Sequence, residues 1–187
     1  MITESGAYES FDDFLDEFFP DDPGACERIE RGAERLAAEE RGARLVELRE
    51  RVRATREDVA RRMGVGLQRV IDLETGTPGF GLHRIDELTR SGFGEVDGEL
   101  HGLARRITEL SSYIQAIGGY VELEVSGATM GIVDPETGVT TTGTGTFVVP
   151  APAESFTPDL VYTVLRNKPT QLIVWAEVEG WRTDIGA

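Results

Sequence analysis

Gln68 offers a planar amide with a donor and an acceptor side by side, the pair that matches the major-groove edge of adenine. It stands between Leu67 and Arg69 and is followed at short range by Ile71 and Asp72. If these residues open a helix, Leu67, Gln68, Ile71 and Asp72 share its outward face. Leu67 and Ile71 then carry methyl groups suited to thymine methyls, and Arg69 carries a fork suited to a guanine or a phosphate. Asp72 runs against this set, since it repels phosphates unless it accepts from cytosine N4 or pairs with Arg69. Upstream, Arg56, Arg61 and Arg62 are candidates for backbone phosphates, with Thr55 beside them. The chemistry on offer is recognition of a polyanion and not bond making.

Other residue types with chemical reach are few. His83 and His101 are the two histidines. With Asp86 or Glu99 they make no ligand spacing of a known metal site, and both read as solvated. Ser111, Ser112 and Cys26 lack a recognisable base or nucleophile setting, and the glycine-rich stretches form no phosphate loop. No catalytic residue, metal or cofactor is therefore expected, and the chain is not read as an enzyme. Cys26 stands alone and cannot form an internal disulfide, which is compatible with a reducing cytoplasm.

The elements that must position Gln68 and Arg69 are legible around them. Thr55 is placed to cap a helix, with Asp58 three residues on at the capping-box position. Val59, Ala60 and Met63 fall on one face of that helix, and Gly64 ends it where a left-handed backbone costs least without a side chain. Val65 fills the turn, Gly66 opens the second helix without a cap hydroxyl, Val70 and Leu73 form its inner face, and Gly76 ends it. Leu45, Leu48 and Val52 supply a supporting helix, and residues 24–44 read as a helix with Glu and Arg at i, i+4 spacing leading into it.

The stretch 45–76 resembles the helix-turn-helix domains of the lambda-repressor/Cro (XRE) family. Thr55, Glu57, Val59, Ala60, Met63, Gly64, Val65, Val70, Leu73, Glu74 and Gly76 fit its pattern in register. The resemblance implies a second helix laid in a DNA major groove, with Thr55, Arg56, Arg61, Arg62, Gly66, Leu67, Gln68, Arg69, Ile71 and Asp72 at or near the DNA. A single such domain binds weakly, so a dimer on a roughly palindromic site is expected.

A second resemblance lies at 107–125. Leu110, Tyr113, Ala116 and Ile117 have helical spacing, Gly118-Gly119 break the helix, and Val121, Leu123 and Val125 alternate as a strand. This segment is similar to the one that follows the helix-turn-helix in host-inhibition-of-growth (HigA-like) antitoxins. The likeness implies that the strand pairs with its copy in a second subunit, with Tyr113, Ile117, Tyr120, Val121, Leu123 and Val125 at the homodimer interface. It also implies a protein toxin as a partner. Between the two likenesses, residues 77–104 read as an insertion, with a short helix at 82–90 and a loop.

The formal net charge of −15 argues against nonspecific DNA binding by the chain as a whole. Its distribution is uneven. Residues 1–22 hold eight acids and no base, whereas residues 41–71 hold nine arginines against four acids. The basic segment coincides with the paired helices, as phosphate contact requires. No apolar run is long enough to span a membrane, and the acidic start is no signal peptide, so a cytoplasmic location is expected.

The acidic arm, residues 1–23, places Phe11, Phe14, Leu15 and Phe18 at i, i+3, i+4 and i+7 before Pro20. Two readings stay open for it: an amphipathic helix docked on the chain's own core, or a partner-binding segment. The carboxy-terminal region reads as β-rich. Ala128–Val133 and Val139–Val149 flank a turn at 134–138, and Leu160–Arg166 and Gln171–Val178 read as two further strands around residues 167–169. The expected architecture is α+β: an arm at 1–23, a helical domain at 24–117 with its insertion at 77–104, and a β-rich domain at 118–187. The expected function is a DNA-binding transcriptional regulator, an antitoxin that represses its own promoter. The rival is a protein-interaction module on the same scaffold that has lost base recognition. A continuous positive surface around Arg56, Arg61, Arg62 and Arg69 favours the first, and one broken by acids favours the second.

Overall fold

The computed structural model describes residues 24–76, 97–133, 140–151, 157–166 and 171–186. The acidic arm with Phe11, Phe14, Leu15 and Phe18, the expected helix at 82–90 with His83 and Asp86, and the turns at 134–138 and 167–169 lie outside these residues. The architecture is mixed α and β, with helices mostly in the amino-terminal part. Five helices are described: α1 (Ala25–Arg51), α2 (Arg56–Met63), α3 (Leu67–Thr75), α4 (Asp97–Ala116) and α5 (Pro158–Arg166). Four strands, β1 (Tyr120–Val133), β2 (Thr140–Ala151), β3 (Gln171–Val178) and β4 (Trp181–Asp184), form one antiparallel sheet in the order β2-β1-β3-β4.

The expected helix at 24–44 and the supporting helix after it are one element, α1. Its carboxy-terminal half buries Leu45 and Leu48 completely. Near its middle it meets the end of α3 at very close range. A Cβ on Gly42 would overlap the Glu74 carbonyl, and one on Gly76 would overlap the Ala38 carbonyl. Two glycines thus permit a backbone approach that any side chain would prevent.

α4 begins at Asp97, so residues 97–104, expected within the insertion, are its first turns. It buries Leu103, Ala104, Ile107, Leu110, Tyr113 and Ile114, then stops at Gly118 (φ +87°) and feeds β1 directly. Along β1, Val121, Leu123 and Val125 are fully buried while Glu122 and Glu124 lie on the opposite, partly exposed face. Val174, Ala176 and Val178 of β3 share the buried face, paired or adjacent across the ladder. Beyond Val125 the register shifts by one residue, so Ser126 and Gly127 oppose Thr146, a β-bulge. Buried residues form one cluster from Leu45 through Val70, Ile107 and Val121 to Ile185, continuous across the expected boundary at 117/118.

Two expectations are corrected. Residues 160–166 are not a strand but belong to helix α5. Its buried residues, Val161, Val164 and Leu165, recur at i, i+3 and i+4. Thr157 accepts from the Leu160 amide (3.3 Å), Pro158 takes the first helical position and Asp159 lies in the first turn, the local signature of a helix start. The residues expected at a homodimer interface are also placed otherwise. Along Val121–Val125 β1 is hydrogen-bonded to β2 on one side and to β3 on the other, so this stretch has no edge to offer a copy. Tyr113, Ile117, Val121, Leu123 and Val125 are buried in the chain's own core, and Tyr120 alone of that set is exposed, its hydroxyl donating to Glu177 (2.5 Å).

Candidate nucleic-acid interface

α2 and α3 are set by local signals that the chain carries in full. The Asp58 amide donates to Thr55 Oγ1 (3.1 Å), the Thr55 hydroxyl donates to Asp58 Oδ2 (2.8 Å), and the Thr55 amide faces the same carboxylate, closing a capping box. These contacts, with the hydroxyl first, hold the Asp58 carboxyl below its ordinary range. α2 ends at Gly64 with φ +70°, and the Val65 amide reaches back to the Ala60 carbonyl (3.0 Å). Gly66 then caps α3 through its backbone only. Val59, Ala60 and Val70 are buried, and Met63, Val65 and Leu73 pack against them.

The residues expected on the outer side of α3 differ in exposure. Leu67, Gln68 and Arg69 are exposed, Leu67 at 40 %, and Ile71 and Asp72 are half-buried. The basic side chains around them are engaged within the chain. Arg56 donates through Nε to Glu74 (2.6 Å). Arg61 pairs with Asp58 one turn back. Arg62 donates to the Ala116 carbonyl at the end of α4 (2.7 Å). Arg69 meets Glu109 of α4 with both oxygens, Nε to Oε1 and Nη2 to Oε2. The Gln68 amide donates to Asp72 (2.9 Å), so Asp72 accepts from Gln68 while the guanidinium of Arg69 goes to Glu109. The positive surface is therefore interrupted by three acids, Asp58, Asp72 and Glu109.

Behind α3 lies a feature that spacing alone does not reveal. Glu74, whose side chain is completely buried, receives Arg49 through Nε (2.7 Å) and Nη2 (3.3 Å), Arg56, and the Tyr113 hydroxyl (2.7 Å). Burial alone would raise the Glu74 pKa, but the hydrogen bonds from Arg49, Tyr113 and Arg56 outweigh it and hold the carboxyl below its ordinary value. Burial and the same carboxylate push the Tyr113 phenol well up. Arg49 also donates to the Ala54 carbonyl (3.0 Å), in the link where Arg53 takes a positive φ of 55°. One buried cluster thus locks α1, α2, α3 and α4 into a fixed relation. The available signal is a carboxylate four residues after Val70 on the inner face of α3, facing Arg49 four residues after Leu45 on the inner face of α1.

The remaining residues with chemical reach do not converge. Among the described residues no group of three or more His, Cys, Asp and Glu side chains is arranged to hold a metal ion. His101 is stacked on Tyr162 (centroids 4.0 Å apart), joining α4 to α5. Ser112 donates to the Thr108 carbonyl (3.0 Å), a bond within its own helix. Among the described residues no helix is long and apolar enough to cross a membrane. Beyond the helices, on the open face of the sheet, Trp175 donates to Glu124 (2.8 Å), and Arg182 pairs with Glu122 (3.0 Å) and lies over the Trp175 ring. No protein-family model, curated protein or solved structure matches the chain.

Proposed function

We propose that this chain is a DNA-binding transcriptional regulator that reads the major groove with the first turns of α3. The observation that carries the reading is the α2–α3 pair itself. A closed capping box, a left-handed turn at Gly64 and a buried inner face together present Leu67, Gln68 and Arg69 outward beside Arg56, Arg61 and Arg62. The acids that interrupt the surface weigh toward the interaction module, and the capped, outward-facing pair is set above them. Exposed ion pairs contribute only about 0–1 kcal/mol each, so exchanging a carboxylate for a phosphate is nearly balanced. Gln68 would release Asp72 to meet adenine, and Leu67 would meet a thymine methyl. Function requires two copies, since one head binds weakly. A partner copy would dock elsewhere than on Val121–Val125 of β1, where both edges are filled. The antitoxin role, with a protein toxin engaged by a segment flanking the paired helices, rests on the resemblance of residues 107–125 and is part of the same proposal.

A second reading has its own observation. All four of the arginines, and Gln68, already have partners within the chain, as expected of a protein-interaction module on this scaffold. Selection of bound duplexes from a randomised pool separates the two. The regulator enriches a two-fold symmetric site whose half-sites lie about one helical turn apart. Recovery of an unenriched pool rejects sequence reading and leaves the interaction module.

A further inference from the structure

Four arginines face the proposed DNA, and their partners differ in what else they do. Glu74, which holds Arg56, is a buried member of the cluster that locks the helices. Asp58, which holds Arg61, closes the cap of α2. Arg62 is held by a main-chain carbonyl. Glu109 is different. It is an α4 residue, forty positions from Arg69, with its side chain 23 % exposed against 43 % for the arginine. Its two oxygens meet the flat edge of the guanidinium, which is the geometry a phosphate would use.

We infer that Glu109 is a positioning residue that occupies the phosphate place on Arg69, so that DNA binding by α3 requires its carboxylate to be displaced. The inference rests on the DNA-binding reading above. Space for the exchange lies beside the pair. An open groove of about 440 Å³ runs between the α2–α3 turn and α4, lined by Met63, Val65, Arg69, Arg105, Thr108 and Glu109. Arg69 is 43 % exposed beside this groove, and Arg105 lines it as well. Glu109 thereby lowers the affinity of a single head and makes occupancy depend on two.

The test is fluorescence anisotropy of a labelled duplex carrying the site enriched in the selection above, titrated with the full chain across a range of salt concentrations. Wild type, E109Q, R69Q, the double variant and E179Q are compared. Glu179 lies in an exposed turn of the sheet and serves as the control for loss of one negative charge. E109Q is expected to bind about fivefold more tightly at low salt, the scale of one exposed ion pair. Its plot of log affinity against log salt is expected to steepen by about one phosphate equivalent. R69Q should weaken E109Q back to wild type or below while changing the wild-type chain much less, and E179Q should leave binding unchanged. A cooperative urea transition for each variant establishes that it is folded. An E109Q chain that binds as wild type does, or a gain that survives R69Q or is matched by E179Q, overturns the role of Glu109 while leaving DNA binding intact. If wild type and E109Q both ignore duplex at low salt, the DNA reading itself fails, and this inference with it.

Discussion

Glu74 ties together the helices that carry the proposed interface. A buried carboxylate shared by two guanidinium groups and a phenol is costly to break, because removing one partner leaves charges buried without compensation. Glu74→Gln should therefore lower stability by about 3 kcal/mol or more in urea denaturation, and a loss within error of zero would show that the cluster is dispensable. Tyr113→Phe removes one hydrogen bond to the same carboxylate and should lose about 1 kcal/mol. The cluster also fixes the sign of a pH effect. The folded-state pKa of Glu74 lies below its ordinary value, so its stabilisation is complete above that value and is lost as pH falls through the folded pKa. The urea midpoint of the wild-type chain should fall in acid more steeply than that of Glu74→Gln. Parallel acid profiles for the two chains would contradict the assignment.

Helix α5 illustrates why some elements read from the sequence and others do not. Its run Leu-Val-Tyr-Thr-Val-Leu is rich in β-branched and aromatic residues, which favours a strand by composition. The buried spacing of Val161, Val164 and Leu165 and the Thr157-Pro158-Asp159 start decide for a helix. Thr157→Ala should accordingly lose about 1 kcal/mol of stability, and an unchanged urea midpoint would remove the cap from the account. α2 was legible because its signals, Thr55, Asp58 and Gly64, are local. β3 was legible to its end residues because its run of β-branched and aromatic residues is local too. β4 was not, being four residues long and joined through Glu179-Gly180, a two-residue turn with positive φ at both positions. The engagement of Arg69 by Glu109 and of Arg49 by Glu74 depends on how α1, α3 and α4 cross, which no spacing within one element encodes. The crossing itself is testable. Gly42→Ala places a methyl against the Glu74 backbone and should cost about 1–3 kcal/mol, the range for overpacking. A neutral result would mean that α1 and α3 stand further apart.

At the scale of the whole molecule, the chain carries −15 yet gathers nine arginines against four acids in residues 41–71. A strongly acidic body repels duplex DNA except where that segment faces it, which favours one orientation of approach and weakens nonspecific binding. One buried cluster joins the paired helices to the sheet through α4 and the Gly118-Gly119 break, so the proposed reading head is not a loosely attached module. The most direct measurement of the central claim is the affinity of the native assembly for labelled duplex as salt is raised from low ionic strength, with Arg61→Gln/Arg62→Gln as the comparison. The account predicts binding at low salt, a linear fall of log affinity with log salt, and a slope reduced by about one to two in the double variant. A native assembly that leaves duplex unbound at low ionic strength would contradict it.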